Sequence, residues 1–510
     1  MPHGDLAQVA AVLGAAASPL VLLARHRALL LGGFAFLAAA EAMLAVALIP
    51  RSDLERLVHR PLLVAALVVV ACAAVGLAAL LVRYPTLTPV VLLVAAPFRI
   101  PVDLGSQHAF LLLPLYGVLA ASALALCWRV VSSPLRRITW MLSGPIAAFI
   151  GISSLSLMWS RDLKQGSIEL VFFLLPFAAL VTIVAQAPFP RWLPGALGVT
   201  LVALTSVFAL IGLYQRATHT LLYAPSLEVE NAFTSYFRVS SVFKDPSLFG
   251  RYLALGVAVV TAAYLLGRLR LEFAVVLLGI SYAALWFSYS QSSMVAIFIV
   301  VTALVLAVGS PGMRRVVAGV AAAVVLAAAG VVAVHVRNDS ARKFTSDRSR
   351  LVSVTWTVFR NHPLVGVGVG GQPKASREEA ARRVAASRNR SHTTPLTVAA
   401  ELGVVGILVY LVFLAGAARV LWSVAMRDRA LGIGLAAVFL TLLIHSMFYA
   451  GFFEDPITWG ALAVAAAALA TRPAARASEG DGAGTAEDIA TLDRSPVGRP
   501  SPLVADRVES

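Results

Sequence analysis

Charge is scarce in this 510-residue sequence: Asp, Glu, Lys and Arg together make up 13% of it, against the roughly 25% of an ordinary soluble domain. With 59% hydrophobic residues and a mean hydropathy of +0.84, the composition excludes a water-soluble globule and predicts an integral membrane protein. Cysteine is nearly absent. Cys72 and Cys127 each lie inside an apolar run, which suits packing and gives no basis for a disulfide framework, a cysteine metal site or a cysteine nucleophile. Lysine occurs only at Lys164, Lys244, Lys343 and Lys374, so the positive charge is almost all arginine, and its placement has to carry the information. Metal-binding signatures are also missing: there is no HExxH, no cluster of histidines and no close aspartate pair in the polar loops, so neither a metal nor another cofactor is expected. Internal repeats and heptads are absent. The net charge of +15 is as high as a nucleic-acid binder's, yet it is spread over short connections between apolar runs, which excludes that partner and fits the positive-inside rule.

Long apolar runs fill most of the chain. After a first run at 6–24, which lacks a preceding basic stretch and reads as a span or a surface helix, runs long enough to cross the hydrocarbon core follow at 29–49, 61–82, 87–104 and 109–128. Others lie at 138–159, 167–187, 193–215, 246–267, 273–290, 292–310 and 316–336, and the last three at 396–422, 431–452 and 457–470. The expected fold is an all-α polytopic membrane protein of about 12 to 15 transmembrane helices. Arg129, Arg136, Arg137, Arg268, Arg270, Arg314, Arg315, Arg427 and Arg429 fall on alternate connections, which marks that side as cytoplasmic. Loops 216–245 and 337–392 then lie outside. Arg51, Arg56 and Arg60 also fall outside, against the rule. The expected organisation is an N-terminal set of spans, 1–215, a catalytic bundle with both outer loops, 216–470, and a disordered cytoplasmic tail, 471–510.

The loop 337–392 holds twelve Lys/Arg against four acids. A positive excess on the outer face reverses the usual bias and points to an anionic ligand. Four polar stretches stand out against the Ala/Val/Leu background, all on that side. Arg238–Arg251 contains Asp245-Pro246, a helix N-cap followed by proline in the first turn, whose free amides could also help Arg238 hold an anion. Ser349–Gly371 begins with a short amphipathic helix over Leu351–Phe359, with Arg350 at its start, and ends in Gly366, Gly368, Gly370 and Gly371. Those glycines follow a helix instead of opening one, so they read as a flexible turn and not as a phosphate loop. Ser391–Gly406 carries His392 and, two and a half turns on, Glu401, which should face the bundle interior. His445–Pro456 closes the last outer turn with two acids. Ser288–Ser293 reads as a tight structural hairpin.

Arg238, Arg350 and His392 form a set that makes chemical sense without a metal. Two guanidiniums can hold a diphosphate bidentately, stabilising charge as it develops on that group, and a neutral histidine can orient or deprotonate an acceptor hydroxyl. Arg251, Arg348, Asp245 and Glu401 are expected to border the substrate.

In their order and wording these stretches resemble the O-antigen ligase and polymerase family of bacterial membrane proteins, over roughly residues 140–470. The similarity rests on Arg238–Gly250, on Ser349-Arg350-Leu351 with Trp356 and His362–Gly371, on His392 with Glu401-Leu402-Gly403 and Gly406, and on His445–Pro456. It implies a GT-C-like fold in the bacterial inner membrane and a metal-independent, inverting transfer of glycan from a polyprenyl (undecaprenyl) diphosphate carrier, on the periplasmic or extracellular face. The implied partners are the lipid-linked oligosaccharide donor, a glycan or lipid acceptor, membrane lipids and other polysaccharide-assembly proteins. Arginines matching Arg238 and Arg350 would hold the diphosphate and a histidine matching His392 would serve the acceptor. Two departures, Thr393 where the family often has Asn and Gln291 where it often has Arg, bear on acceptor placement and on packing. The rival reading is a secondary transporter or flippase for an anionic or lipid-linked solute, which would place ionisable residues at the membrane midplane.

Overall fold

Proline and aspartate set the helix starts. Asp162, Asp245 and Asp428 each accept a bond from a backbone N–H of the turn they open, at 3.1, 2.6 and 3.0 Å, which satisfies donors that the helix itself leaves free. Pro246, Pro311 and Pro456 stand at the first position of their helices, where no N–H is needed. The computed structural model describes residues 4–49, 61–104, 107–222, 224–337, 348–379, 391, 393–449 and 451–471.

The chain begins with α1 (Gly4–Leu22), α2 (Arg27–Leu48) and α3 (Pro61–Arg83). A short helix, α4 (Thr88–Ala95), leads to the hairpin β1 (Ile100–Leu104) and β2 (Gln107–Leu111). Next come α5 (Leu113–Val130), α6 (Trp140–Ser156) and α7 (Leu163–Glu169), which passes through a π-turn at Leu170–Leu174 into α8 (Leu175–Gln186). Then follow α9 (Leu193–Thr218), α10 (Pro225–Ala232), α11 (Pro246–Leu265), α12 (Leu271–Ser288), α13 (Gln291–Val308) and α14 (Pro311–Arg337). Two short helices, α15 (Arg348–Asn361) and α16 (Gln372–Glu379), precede α17 (Thr394–Arg427), α18 (Arg429–His445) and α19 (Pro456–Ala470).

Among the described residues eleven helices are long and apolar enough to cross a membrane, a twelfth if the bent pair is one span, and α18 and α19 are shorter apolar helices. The bent pair corrects the expected spans at 61–82 and 87–104. Val68–Arg83 and Pro85–Ala95 meet at 109°, and the second half gives way to the hairpin, with Ile100 opposite Leu111. Hydropathy counts apolar residues; Pro85, Pro89, Pro97 and Pro101 decide the backbone, each removing a donor and restricting the residue before it.

The α7–α8 segment and α11 are the most enclosed spans, whereas the apolar part of α14, Pro311–Val331, has no buried residue. Around α11 pack α9, α12, α13 and α18; α6 packs on α1 and α17, and α8 on α19. Helices from both sides of residue 215 therefore share one core. Alternation of the spans gives the bundle a basic end, carrying the arginines at 129–137, 268–270, 314–315 and 427–429, and a loop end, carrying the described residues of 216–245 and 348–393. The predicted disordered tail beyond Thr471, and Arg51, Arg56 and Arg60, lie outside the described residues.

Candidate functional site at the loop end

All four polar stretches meet at the loop end. The glycine-rich one is a fixed joint, in place of the flexible turn expected. Gly366, Gly368 and Gly370 have φ of +67°, +83° and +70°, the left-handed region that only glycine enters freely. The path lets Val367 N–H donate to Ala400 O at 3.0 Å and Gly368 N–H to Glu401 O at 2.8 Å, while Val404 N–H donates to Pro363 O at 2.8 Å. These bonds are available because α17 is broken at Gly403, with φ +65° and ψ −158°. A Cβ at Gly403 would strike Leu364 O, and one at Gly368 the backbone of Ser160. On its other side the joint is tied to the end of α6 by Val369 N–H to Ser156 Oγ, 2.9 Å, and Ser160 Oγ to Val369 O, 2.8 Å. The break turns backbone groups of a span into binding partners for the loop.

The last turn, 446–455, is held by Arg251 of α11. Its Nη1 donates to Asp455 Oδ2 at 2.9 Å and to Gly451 O at 3.0 Å, and its Nε donates to His445 Nδ1 at 3.3 Å. Arginine can only donate, so Nδ1 is the acceptor and a neutral His445 carries its proton on Nε2, facing Ser292 Oγ at 3.2 Å. Ser290 continues the chain to Ser292 and Ser293 at 3.3 and 2.8 Å. The guanidinium also lies 5.6 Å from the Tyr449 ring centroid, and the Tyr449 hydroxyl donates to Asp245 Oδ2 at 3.0 Å. Burial, and then the Asp245 charge, push the Tyr449 phenol up from its ordinary value. Next to Asp245, burial and then the Arg99 charge hold the Lys244 ammonium below the usual lysine range.

Gly451 separates this network from a small cavity of about 60 Å³: a Cβ there would sit 3.3 Å from Glu454 Oε2 and 3.4 Å from Arg251 Nη2. The cavity is lined by Glu169, Glu401 and Glu454, with Ser153, Thr394 and Thr397 supplying hydroxyls. Phe149 and Phe453, stacked at 4.2 Å between centroids, form part of its wall. Glu169 and Glu401 are buried. Carboxylates and hydroxyls around a confined space are suited to gripping a hydroxylated or hydrogen-bond-donating group.

The predicted residues divide. Asp245, Arg251 and Glu401 come to this centre. Asp245 caps α11, as the Asp-Pro pair indicated, and also receives Tyr449. Arg251 and its partner Asp455 are each 3% exposed. Arg238 is held at the end of α12 by Ser288 O, 3.3 Å, and Glu230 Oε1, 2.7 Å. Arg350, half-buried, and Arg348 lie in the first turn of α15, which packs on α17 and α16. His392 lies outside the described residues. Its neighbours are fixed: Ser391 N–H donates to Gln372 Oε1 at 3.1 Å, and Thr393 Oγ1 to Met447 O at 3.3 Å. Thr394 N–H donates to Ser446 O at 3.1 Å, joining the third stretch to the fourth. Two acids of the loop, Glu378 and Glu379, pair with Arg161 at 3.1 and 3.9 Å.

Glu169, Arg99 and the Ser290–Ser293 chain were not singled out from the sequence as site residues. Glu169 had a signal, an acid inside an apolar run, which marks a functional position by default. Ser292 had none, since a serine hairpin between spans reads the same with or without a histidine above it.

Compared with known proteins, residues 273–411 match the O-antigen ligase family. The stretch runs from α12 to the middle of α17 and includes the Ser290–Ser293 hairpin, Arg350, the glycine joint and Glu401. No curated protein matches the chain. The match over this stretch, together with the many apolar helices, indicates a multi-pass inner-membrane protein that is similar to O-antigen ligases in that stretch, and it supports glycan transfer in surface polysaccharide biosynthesis.

Proposed function

Taking residues 273–411 as a stretch of the O-antigen ligase family, we propose that the loop end transfers a glycan from a polyprenyl diphosphate carrier to an acceptor hydroxyl, on the periplasmic or extracellular face of the inner membrane. The acceptor oxygen attacks the anomeric carbon, the bond from that carbon to the phosphate oxygen breaks with inversion, and the lipid diphosphate leaves with the electron pair. Arg238 and Arg350 hold the diphosphate, and His392 takes the acceptor proton.

The electrostatics favour Arg238 over Arg251 for the anion. Arg238 pairs with Glu230, which is 48% exposed, and a pair of that kind contributes only about 0–1 kcal/mol, so a diphosphate can replace it at little cost. The Arg251–Asp455 pair is buried, and removing one partner would cost roughly 3–5 kcal/mol. Arg251 is therefore assigned to positioning: it fixes the turn that borders the carboxylate-lined cavity. Glu401, Glu169 and Glu454 accept hydrogen bonds from sugar hydroxyls there. The observation that carries this reading is the meeting of four separated polar stretches at one end of the bundle, within and around the family match.

Purified protein, incubated with a glycan on a polyprenyl diphosphate, should release the lipid diphosphate and extend the acceptor. Arg238→Ala, Arg350→Ala and His392→Ala should each lower turnover by two or more orders of magnitude while keeping the fold. Full turnover in all three would remove the assignment. A ladder built from donor alone indicates a polymerase; a strict need for a second, non-carrier acceptor indicates a ligase.

A further inference from the structure

A large cavity opens at the other, basic end and extends along the bundle toward the start of α19. It measures about 830 Å³ and is walled by α4, α8, α9, α11, α18 and α19. Glycines keep it open: Gly195, Gly198, Gly434 and Gly460 all line it, and a Cβ at any of them would meet nothing within 4 Å. The rest of the lining is mostly Leu, Val, Ala and Ile, which suits hydrocarbon.

The mouth of the cavity is different. Arg191 and Arg268 border it, exposed, with neither guanidinium engaged by another side chain among the described residues. Trp192, 49% exposed, stands beside them, as indoles do at a membrane interface. Asp428 is also at the rim, but it caps α18 through Leu431 N–H at 3.0 Å. Two free guanidiniums above an apolar chamber match a phosphate above acyl chains.

We propose that this cavity binds one anionic phospholipid of the cytoplasmic leaflet, its phosphate on Arg191 and Arg268 and its chains between α9, α11 and α18. The cations lie at the end opposite the loop-end site, so the headgroup they hold is not the diphosphate held there. The site does not depend on the transfer reaction. Because the wall reaches Pro456 and Ile457, next to Asp455, a bound lipid also supports the start of α19.

The test uses the full-length protein, delipidated in neutral detergent and titrated with dioleoyl phosphatidylglycerol or dioleoyl phosphatidylcholine, with native mass spectrometry counting retained lipids. The wild type should retain one phosphatidylglycerol in preference to phosphatidylcholine by roughly thirtyfold, the scale expected of two interfacial arginines at about 1 kcal/mol each. Arg191→Gln with Arg268→Gln should bring the two lipids to parity, and Gly434→Leu, which places a branched side chain in the chamber from a position whose Cβ meets nothing within 4 Å, should abolish retention of both. Equal retention of the two lipids by the wild type, an unchanged preference in the double variant, full retention in Gly434→Leu, or stronger retention of undecaprenyl phosphate than of phosphatidylglycerol would each overturn the proposal.

Discussion

Arg251 and Asp455 form an ion pair at 2.9 Å with both side chains 3% exposed, joining the second turn of α11 to the residue that opens α19. Removing either partner strands the other charge. Arg251→Met or Asp455→Leu should lower stability by about 3–5 kcal/mol each, and the double variant by clearly less than the sum. A double-mutant cycle from thermal unfolding in detergent measures the coupling, and additive losses would show that the pair does not act as a unit.

The glycine joint makes a prediction of opposite signs. Gly368→Ala and Gly403→Ala must accept a left-handed backbone and a contact with neighbouring main chain, which should cost roughly 1–3 kcal/mol each. Gly319→Ala, in α14 with open space around it, should stabilise by about 0.5–1 kcal/mol through helix propensity. Thermal denaturation of the three variants in the same detergent reads both signs.

Asp245 has two tasks that substitution can separate. Asparagine still caps a helix, so Asp245→Asn should retain the cap and weaken only the bond from Tyr449, whereas Asp245→Ala should lose about 1 kcal/mol more. Tyr449→Phe should lose about 1 kcal/mol by removing the hydroxyl while keeping its ring beside Arg251. Asp245→Asn and Tyr449→Phe should therefore resemble one another in unfolding temperature, with Asp245→Ala below both.

The assignment of faces is testable without any substrate. In a protein with Cys72→Ser and Cys127→Ser, a cysteine at Thr220 should react with a membrane-impermeant maleimide on intact spheroplasts, and one at Gly312 only after lysis. The reverse pattern would put the proposed reaction in the cytosol.

Much of the site was legible because polar residues are conspicuous in an Ala/Val/Leu background. The Asp245 cap, the helix after Arg350 and the inward placement of Glu401 all followed from local chemistry. The span expected at 87–104 failed because hydropathy ignores what Pro97 and Pro101 do to a backbone. The glycines at 366–370 were read as loose because sequence shows that glycine permits unusual φ, while only the fold shows Ser160, Gly166 and Glu401 pressed against each one. Likewise His445 and Ser292 are 153 positions apart, a distance across which no local pattern reports a contact.

The division of α17 at Gly403 also bears on biogenesis. The carbonyls of Ala400 and Glu401 find their donors on Val367 and Gly368, in a segment synthesised earlier, whose own anchors on α6 are older still. Insertion of α17 into the bilayer alone therefore leaves these two carbonyls without their donors until the glycine joint docks on them.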